Sequence, residues 1–175
     1  MSEITFISNK TKKALQKYLI VSVIAFLSWI LQISIASRFM VMDTSLNLFL
    51  LGTIYFGISM GPVTGSFFGI LSSFFSTSIL YDHTFYFSYP IIGFLAGIIS
   101  KNLIADELLF FTALSLVFVF LLELLNGFQF SINKSVNFLE RYLLILPGDL
   151  VLNIVLAPIY YIGINFFAKK LKLRL

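Results

Sequence analysis

The sequence predicts an all-α, polytopic membrane protein with six transmembrane helices and both termini in the cytoplasm. Of its 175 residues, 59% are hydrophobic and only 11% are charged, and the mean hydropathy is +0.98. Soluble domains have roughly a quarter of their residues charged, so the water-facing surface of this chain must be small. Uncharged stretches of about 20 residues, the length of a helix that crosses a bilayer, recur along the chain.

The first three spans are predicted over residues 18–37 and 44–81. Residues 18–37 carry no charge and follow four lysines, and residues 44–81 are again uncharged. The second stretch is too long for one crossing, so we expect two helices joined by a tight turn at Gly61-Pro62. Proline disrupts a helix interior but fits its first turn. The first span is longer than the apolar part of a signal peptide, so we expect it to stay as an anchor.

The last three spans are predicted at about 84–100, 108–125 and 147–168. The segment 126–146 is polar at first and then mixed, which favours a loop leading into a short interfacial helix. The predicted organisation is a single six-helix membrane domain over residues 18–168. It lies between a basic cytoplasmic tail over residues 1–17 and another over residues 169–175.

The distribution of basic residues predicts the orientation, because Lys and Arg accumulate on the cytoplasmic side of a membrane. With both termini inside, nine of the 12 basic residues are cytoplasmic, and only Arg38, Lys134 and Arg141 are external. These charges are expected to set the topology and to contact anionic lipid headgroups. We expect the lipid bilayer as a partner and no nucleic acid.

Metal and thiol chemistry is not expected. The chain has no cysteine and one histidine, so it lacks a disulfide framework, a thiol nucleophile and the clusters that bind zinc or iron–sulfur groups. The pattern Gly57-x-Ser59-x-Gly61 matches a hydrolase nucleophile elbow, with Asp82 and His83 following in order. The predicted third span separates Ser59 from those two residues by about 30 Å. We therefore predict no enzyme activity and no cofactor.

Small residues recur at helical spacing in the middle of the chain. Close backbone approach over such residues supplies the packing between membrane helices, since lipid tails are as apolar as leucine. These faces are expected to bring the protein's own helices together, with docking of a foreign helix as the alternative. The candidate packing or partner-binding residues are Gly57, Gly61, Gly65, Gly69, Gly93 and Gly97.

A polar cluster is predicted at the outer surface. Glu123 lies about 22 Å along its helix, and Asp149 opens the last span from outside. With Arg141 as the natural partner of an acid, and with Asn153 nearby, these residues could form a cluster. A salt-bridged structural role is expected, because an unpaired charge within a membrane is costly. A ligand site is the alternative.

In order along the chain, these features resemble the bacterial rod shape-determining protein MreD family. The residues that carry the resemblance are Leu31-Gln32, Leu46-Asn47, Gly57, Gly61-Pro62, Gly65, Gly69, Gly93, Gly97, Lys101, Asn153 and Pro158-Ile159-Tyr160-Tyr161. The resemblance covers residues 19–168. It implies a non-catalytic scaffold of the cell-wall elongation machinery in the bacterial cytoplasmic membrane. The implied partners are MreC, MreB and the cell-wall synthases, with no small-molecule ligand.

A different class of protein competes with this interpretation. The substrate-binding S component of an energy-coupling factor vitamin transporter is similar in hydropathy, also with six helices and a glycine-rich second and third span. Such a protein needs convergent polar groups in its outer half, and Glu123, Arg141, Asp149 and Asn153 could supply them. Its first helix carries an Ala-x-x-x-Ala face, whereas Ala25 and Ala36 here do not have that spacing.

Overall fold

The part of the chain that the structure describes forms six helices and one short β-hairpin. The computed structural model describes residues 9–34, 38, 40–41, 44–79, 87–101, 107–134 and 138–170. Each predicted span coincides with a helix, so the all-α prediction is confirmed. The helices are α1 (Asn9–Ser34), α2 (Leu48–Met60), α3 (Pro62–Ile79), α4 (Ser88–Ser100), α5 (Glu107–Lys134) and α6 (Phe138–Lys170).

Three segments are long and apolar enough to cross a membrane. They are Thr11–Ser34 in α1, Glu107–Phe128 in α5 and Tyr142–Ala168 in α6. The apolar helices α2 and α4 have 13 residues each, which is about 20 Å of helix. That length is shorter than the hydrocarbon core of about 30 Å.

Helix α2 is the centre of the fold. Its residues 49–57 are all buried, as expected for a helix that is apolar on every side. It contacts α1, α3, α4, α5 and α6. The chain turns from α2 into α3 at Gly61, which has a φ of 92°, and Pro62 is the first residue of α3. The turn therefore lies where the sequence predicts it.

A two-stranded hairpin, which was not predicted from the sequence, follows α1. Strand β1 (Met40–Val41) pairs antiparallel with β2 (Thr44–Ser45), with Met40 opposite Ser45 and Val41 opposite Thr44. The hairpin packs on α6. It thereby joins the segment between α1 and α2 to the last helix of the chain.

The loop that was predicted to begin the segment 126–146 is wrong, and the short interfacial helix predicted to follow it is instead the first part of α6. Helix α5 continues to Lys134, and α6 begins at Phe138 and passes through both Pro147 and Pro158. Helix α6 has 33 residues, or about 50 Å, which exceeds the thickness of the hydrocarbon core. Polar residues thus mark where a helix leaves an apolar layer, and not where the helix ends. For the same reason α1 begins at Asn9, within the predicted N-terminal tail.

Candidate functional site

Three helices meet at a contact made of glycine backbone. A Cβ atom on Gly65 of α3 would lie 2.5 Å from the carbonyl oxygen of Gly93 and 2.6 Å from Cα of Gly57. A Cβ atom on Gly57 would lie 2.6 Å from the same Gly93 oxygen. Side-chain carbons do not approach backbone atoms this closely. The contact between α2, α3 and α4 therefore requires glycine at all three positions.

The contact between α3 and α4 extends on both sides of this point. A Cβ atom on Gly69 would lie 2.6 Å from the main-chain nitrogen of Pro90, and one on Gly97 would overlap the nitrogen of Pro62. The Ser66 hydroxyl donates to the Pro90 carbonyl at 3.1 Å. The backbones of α3 and α4 are therefore in direct contact along most of α4.

The glycine faces are filled by the protein's own helices. The five glycines at positions 57, 65, 69, 93 and 97 are buried, and each faces backbone of this chain. Gly61 differs, because a Cβ atom there would meet nothing within 4 Å. Its φ of 92° lies in the left-handed region, which favours glycine. The predicted docking of a foreign helix would have to use another surface.

At the opposite end of α2 from Gly61, a pair of carboxyl groups joins α5 to α6. Glu123 of α5 and Asp149 of α6 are half-buried. They lie close enough to interact with each other, and Thr44 of the hairpin lies beside Asp149.

Each of the two acids is followed, one helical turn later, by an asparagine. The Nδ2 of Asn153 donates to the main-chain carbonyl of Asp149 at 2.8 Å, and the Nδ2 of Asn126 lies 3.5 Å from Oε1 of Glu123. In both asparagines the Oδ1 atom is buried and has no hydrogen-bond partner among the described residues. Each acid thus has an asparagine amide beside it on the same helix.

The structure brings three of the four predicted cluster residues together. Glu123, Asp149 and Asn153 lie at one site, whereas the Arg141 side chain lies outside the described residues. The backbone of Arg141 is eight residues before Asp149 on α6, or about 12 Å along the helix. A salt bridge from Arg141 to either acid stays a prediction.

Two residues outside the predicted cluster, Asn47 and Tyr89, connect α2 to α4. The Asn47 side chain caps α2 by accepting from the Leu50 N–H at 3.0 Å, and it donates to the Tyr89 hydroxyl at 2.8 Å. Tyr89 is buried on α4, so this bond joins the start of α2 to the start of α4.

A second polar network lies at the other end of α5 and α6. The Tyr161 hydroxyl donates to Oε2 of Glu107 at 2.7 Å, and the Tyr55 hydroxyl donates to Oδ1 of Asn165 at 2.7 Å. The rings of Tyr55 and Tyr161 are 5.8 Å apart. This network fastens the central helix α2 to the hairpin of α5 and α6.

The environment of Ser59 differs from that of a hydrolase nucleophile. Ser59 lies in the last turn of α2, which leads through Gly61 into another helix, whereas a nucleophile elbow places its serine between a strand and a helix. Asp82 and His83 lie outside the described residues. Within the described ranges, no three His, Cys, Asp or Glu side chains form a group that could hold a metal ion.

The arrangement can do two things chemically. The glycine contact holds three helices at close range, and the acid pair places two carboxyl groups between α5 and α6. Comparisons with protein-family models, with curated proteins and with solved structures find no match for this chain.

Proposed function

We propose that the chain crosses the bacterial cytoplasmic membrane six times, with both termini in the cytoplasm. The three long apolar helices support insertion in a membrane, and the nine basic residues on one side support the orientation. In this topology α2 crosses inside the protein, and α4 crosses with one face packed against α2 and α3 and the other face exposed. Both helices are shorter than the hydrocarbon core, so the non-helical backbone at their ends lies at membrane depth, where it is tolerated if protein surrounds it. The burial of α2 on all sides supports this placement of α2.

The function that we propose within this topology is that of a non-catalytic scaffold of the rod shape machinery. In this role the protein binds MreC, associates with MreB and the cell-wall synthases, and thereby regulates cell shape and peptidoglycan synthesis. The identity of the machinery rests on the resemblance to the MreD family. The packing of the residues that carry this resemblance supports the scaffold role.

The observation that carries the proposal is that the residues of the resemblance contact one another. Gln32 bonds the main chain on both sides of Asn47, and Asn47 caps α2. Gly57, Gly65 and Gly93 bring α2, α3 and α4 together. The shared residues thus build one packed unit of four helices, and a fixed unit of this kind suits a protein that holds partners in place.

A partner helix would have to bind the outward-facing surface, because the glycine faces are occupied internally. Of the three long apolar segments, α1 is the least buried, and its exposed side includes Val23, Phe26 and Leu27. Large apolar side chains are also exposed on α4 and α6, among them Phe94 and Phe166. These surfaces are the candidates for contact with lipid and with MreC.

The first experiment is purification of a tagged copy from its native membrane in mild detergent, with mass spectrometry of the proteins and small molecules retained. We expect recovery of MreC in near-stoichiometric amount, with MreB or wall synthases beside it. An unrelated tagged membrane protein of similar size is the control. Recovery of none of these proteins above that control would refute the scaffold proposal.

Photo-crosslinking then locates the partner surface. A crosslinking residue at Phe26, Phe94 or Phe166 faces outward from α1, α4 or α6, and one at Ile92 faces the core. We expect crosslinks to MreC from one or more outward positions and none from Ile92. Crosslinks from the Ile92 position alone would contradict the packing of α4 as well as the proposed surface.

A second candidate function has support from the acid pair. The S component of a vitamin transporter needs convergent polar groups in its outer half, and Glu123, Asp149 and Asn153 converge with Thr44. The same purification separates the two functions. A bound vitamin with ATPase subunits would favour the transporter component, and would make this cluster its binding site.

A further inference from the structure

Lys17 is held beside the turn between α2 and α3. Its Nζ atom donates to the main-chain carbonyl of Met60 at 3.3 Å, and the side chain is half-buried. The ring of the next residue, Tyr18, packs edge-on against Phe67 of α3, with centroids 5.0 Å apart. A lysine ammonium has three N–H donors, and the bond to Met60 uses one of them. The bond therefore fixes the position of the charge and leaves donors for another acceptor.

The fold brings two further lysines to the same turn. Lys13 lies one helical turn before Lys17 on the same face of α1, and its side chain is exposed. On the other side of the turn, a Cβ atom on Gly97 would overlap Pro62, so α4 ends beside the start of α3. Lys101 follows the last residue of α4 and is also exposed. Lysines from α1 and from the end of α4 thus flank one turn.

Within the described part of the chain, no acid balances these charges. None of the three lysines forms an ion pair there. Of the acids described, Glu107 accepts from Tyr161 of α6, and the others lie toward the opposite end of α5 and α6, at Glu123, Glu140 and Asp149. A half-buried ammonium without an opposite charge favours an anion from outside the chain.

The turn lies at the depth of the phospholipid phosphates. Lys17 is the last charged residue before the uncharged residues 18–37 of the first span, so it marks the edge of the hydrocarbon layer where α1 crosses a membrane. A Cβ atom on Gly61 would meet nothing within 4 Å, which leaves room at the turn for a headgroup. Val63, in the first turn of α3, is 65% exposed and offers an apolar surface to the acyl chains.

We propose that Lys13, Lys17 and Lys101 bind the phosphate group of an anionic phospholipid, such as phosphatidylglycerol. Lysine binds phosphate as a point charge, and each basic group near an anionic lipid surface strengthens the attraction. A lipid held there contacts α1, the α2–α3 turn and the end of α4, and so fastens α1 to the glycine-packed helices. Loose contact with lipid is expected of every basic tail, whereas this site holds one lipid at one place. The site requires that α1 crosses a membrane, as proposed above, and does not require the scaffold function.

The first test uses the purified protein in a neutral detergent. Trp29 is the single tryptophan of the chain and stacks on Phe75 with ring centroids 5.6 Å apart, so its fluorescence reports unfolding. Thermal unfolding is followed at constant ionic strength while phosphatidylglycerol, phosphatidylcholine with the same acyl chains, or inorganic phosphate is added. We expect a saturable rise in the midpoint with phosphatidylglycerol alone, because ligands that bind the folded state stabilise it. Native mass spectrometry counts the lipids that the protein retains.

Matched variants identify the lysines. Lys13→Gln and Lys17→Gln should each weaken phosphatidylglycerol binding about fivefold, the effect of one basic group near an anionic lipid surface. Lys12→Gln makes the same charge change about 140° away around α1 and should bind as the wild type does. Lys17→Arg keeps the charge and should retain most of the binding. Lys13→Gln leaves the bond from Lys17 to Met60 intact, which keeps a test available where Lys17→Gln folds poorly.

The proposal is overturned by a midpoint that rises equally with both lipids, or that rises with neither. The first result would mean that any lipid fills the place, and the second that an acid outside the described residues balances the lysines. An equal rise with inorganic phosphate would make a free phosphate ion the ligand, and equal loss of binding in Lys12→Gln would mean diffuse attraction to a basic helix. Either result would also overturn the proposal. Recovery of MreC from native membranes does not depend on these results, so the two proposals fail separately.

Discussion

Gln32 donates from Nε2 to the main-chain carbonyl of Leu46 at 2.8 Å, and so binds the end of α1 to the start of α2. Its Oε1 atom accepts from the Leu48 N–H at 2.9 Å. The first N–H groups of a helix have no partner within that helix. In α2 the side chains of Gln32 and Asn47 accept hydrogen bonds from the N–H groups of Leu48 and Leu50. One side chain therefore sets how α1 meets the central helix.

Replacing Gln32 with leucine should destabilise the protein. Gln32→Leu keeps the size of the side chain but removes both hydrogen bonds, so we expect the free energy of unfolding to fall by about 2 kcal/mol. The measurement is thermal or denaturant unfolding in detergent, followed by Trp29 fluorescence.

The matched control for this substitution is Gln16→Leu, which makes the same change at an exposed position of α1. It should alter the free energy of unfolding by less than about 0.5 kcal/mol. Equal effects of the two substitutions would mean that the bonds of Gln32 to Leu46 and Leu48 contribute nothing to stability.

A methyl group at Gly65 should prevent the close approach of three helices. Its Cβ atom would lie 2.6 Å from Cα of Gly57 and 2.5 Å from the Gly93 oxygen, and backbone cannot move aside as a flexible side chain can. We expect Gly65→Ala to lower the free energy of unfolding by about 3 kcal/mol or to abolish folding. Gly97→Ala should act similarly through its contact with Pro62.

Gly163 provides the control, because a Cβ atom there would meet nothing within 4 Å. Gly163→Ala should be neutral or should stabilise α6 by up to about 1 kcal/mol, the difference in helix propensity. The yield and the unfolding midpoint of Gly65→Ala, Gly97→Ala and Gly163→Ala in detergent test these expectations. Near-wild-type stability of Gly65→Ala would show that the three helices do not depend on glycine.

The positions of the helices could be predicted from the sequence because charge is costly inside a membrane and interrupts each apolar stretch. The turn at Gly61-Pro62 could be predicted because both residues have strong backbone preferences. The extensions of α5 and α6 could not, since a helix continues into water with the same backbone geometry. Nor could the β-hairpin, whose two-residue strands are too short to show an alternating pattern.

The candidate site could be predicted only in part. Glu123 and Asp149 stand out as isolated charges in apolar segments, so the sequence indicates that they need a partner. Thr44 and Tyr89 carry no such signal, because uncharged hydroxyl groups occur throughout the chain. Their role depends on contacts between distant parts of the chain, which only the fold reveals.

The bond between Tyr55 and Asn165 joins residues 110 positions apart, and a double-mutant cycle should measure it. Tyr55→Phe and Asn165→Leu each remove one partner, so the double variant should be more stable than the sum of the single effects predicts. We expect a coupling free energy of about 0.6 to 1.7 kcal/mol, the range for hydrogen bonds between membrane helices. Strictly additive effects would show that the two groups do not interact.

The proposed topology predicts which residues reach each side of the membrane. Because the chain has no cysteine, a single introduced cysteine is the only site for a thiol reagent that does not cross membranes. Lys12, Arg38 and Lys101 are exposed, and the six-span topology places Arg38 outside and the other two inside. In intact cells or spheroplasts we expect labelling of Arg38→Cys alone, and after permeabilisation we expect labelling of all three. Labelling of Lys101→Cys in intact cells would put an odd number of crossings between it and Lys12, and the six-span arrangement would then be wrong.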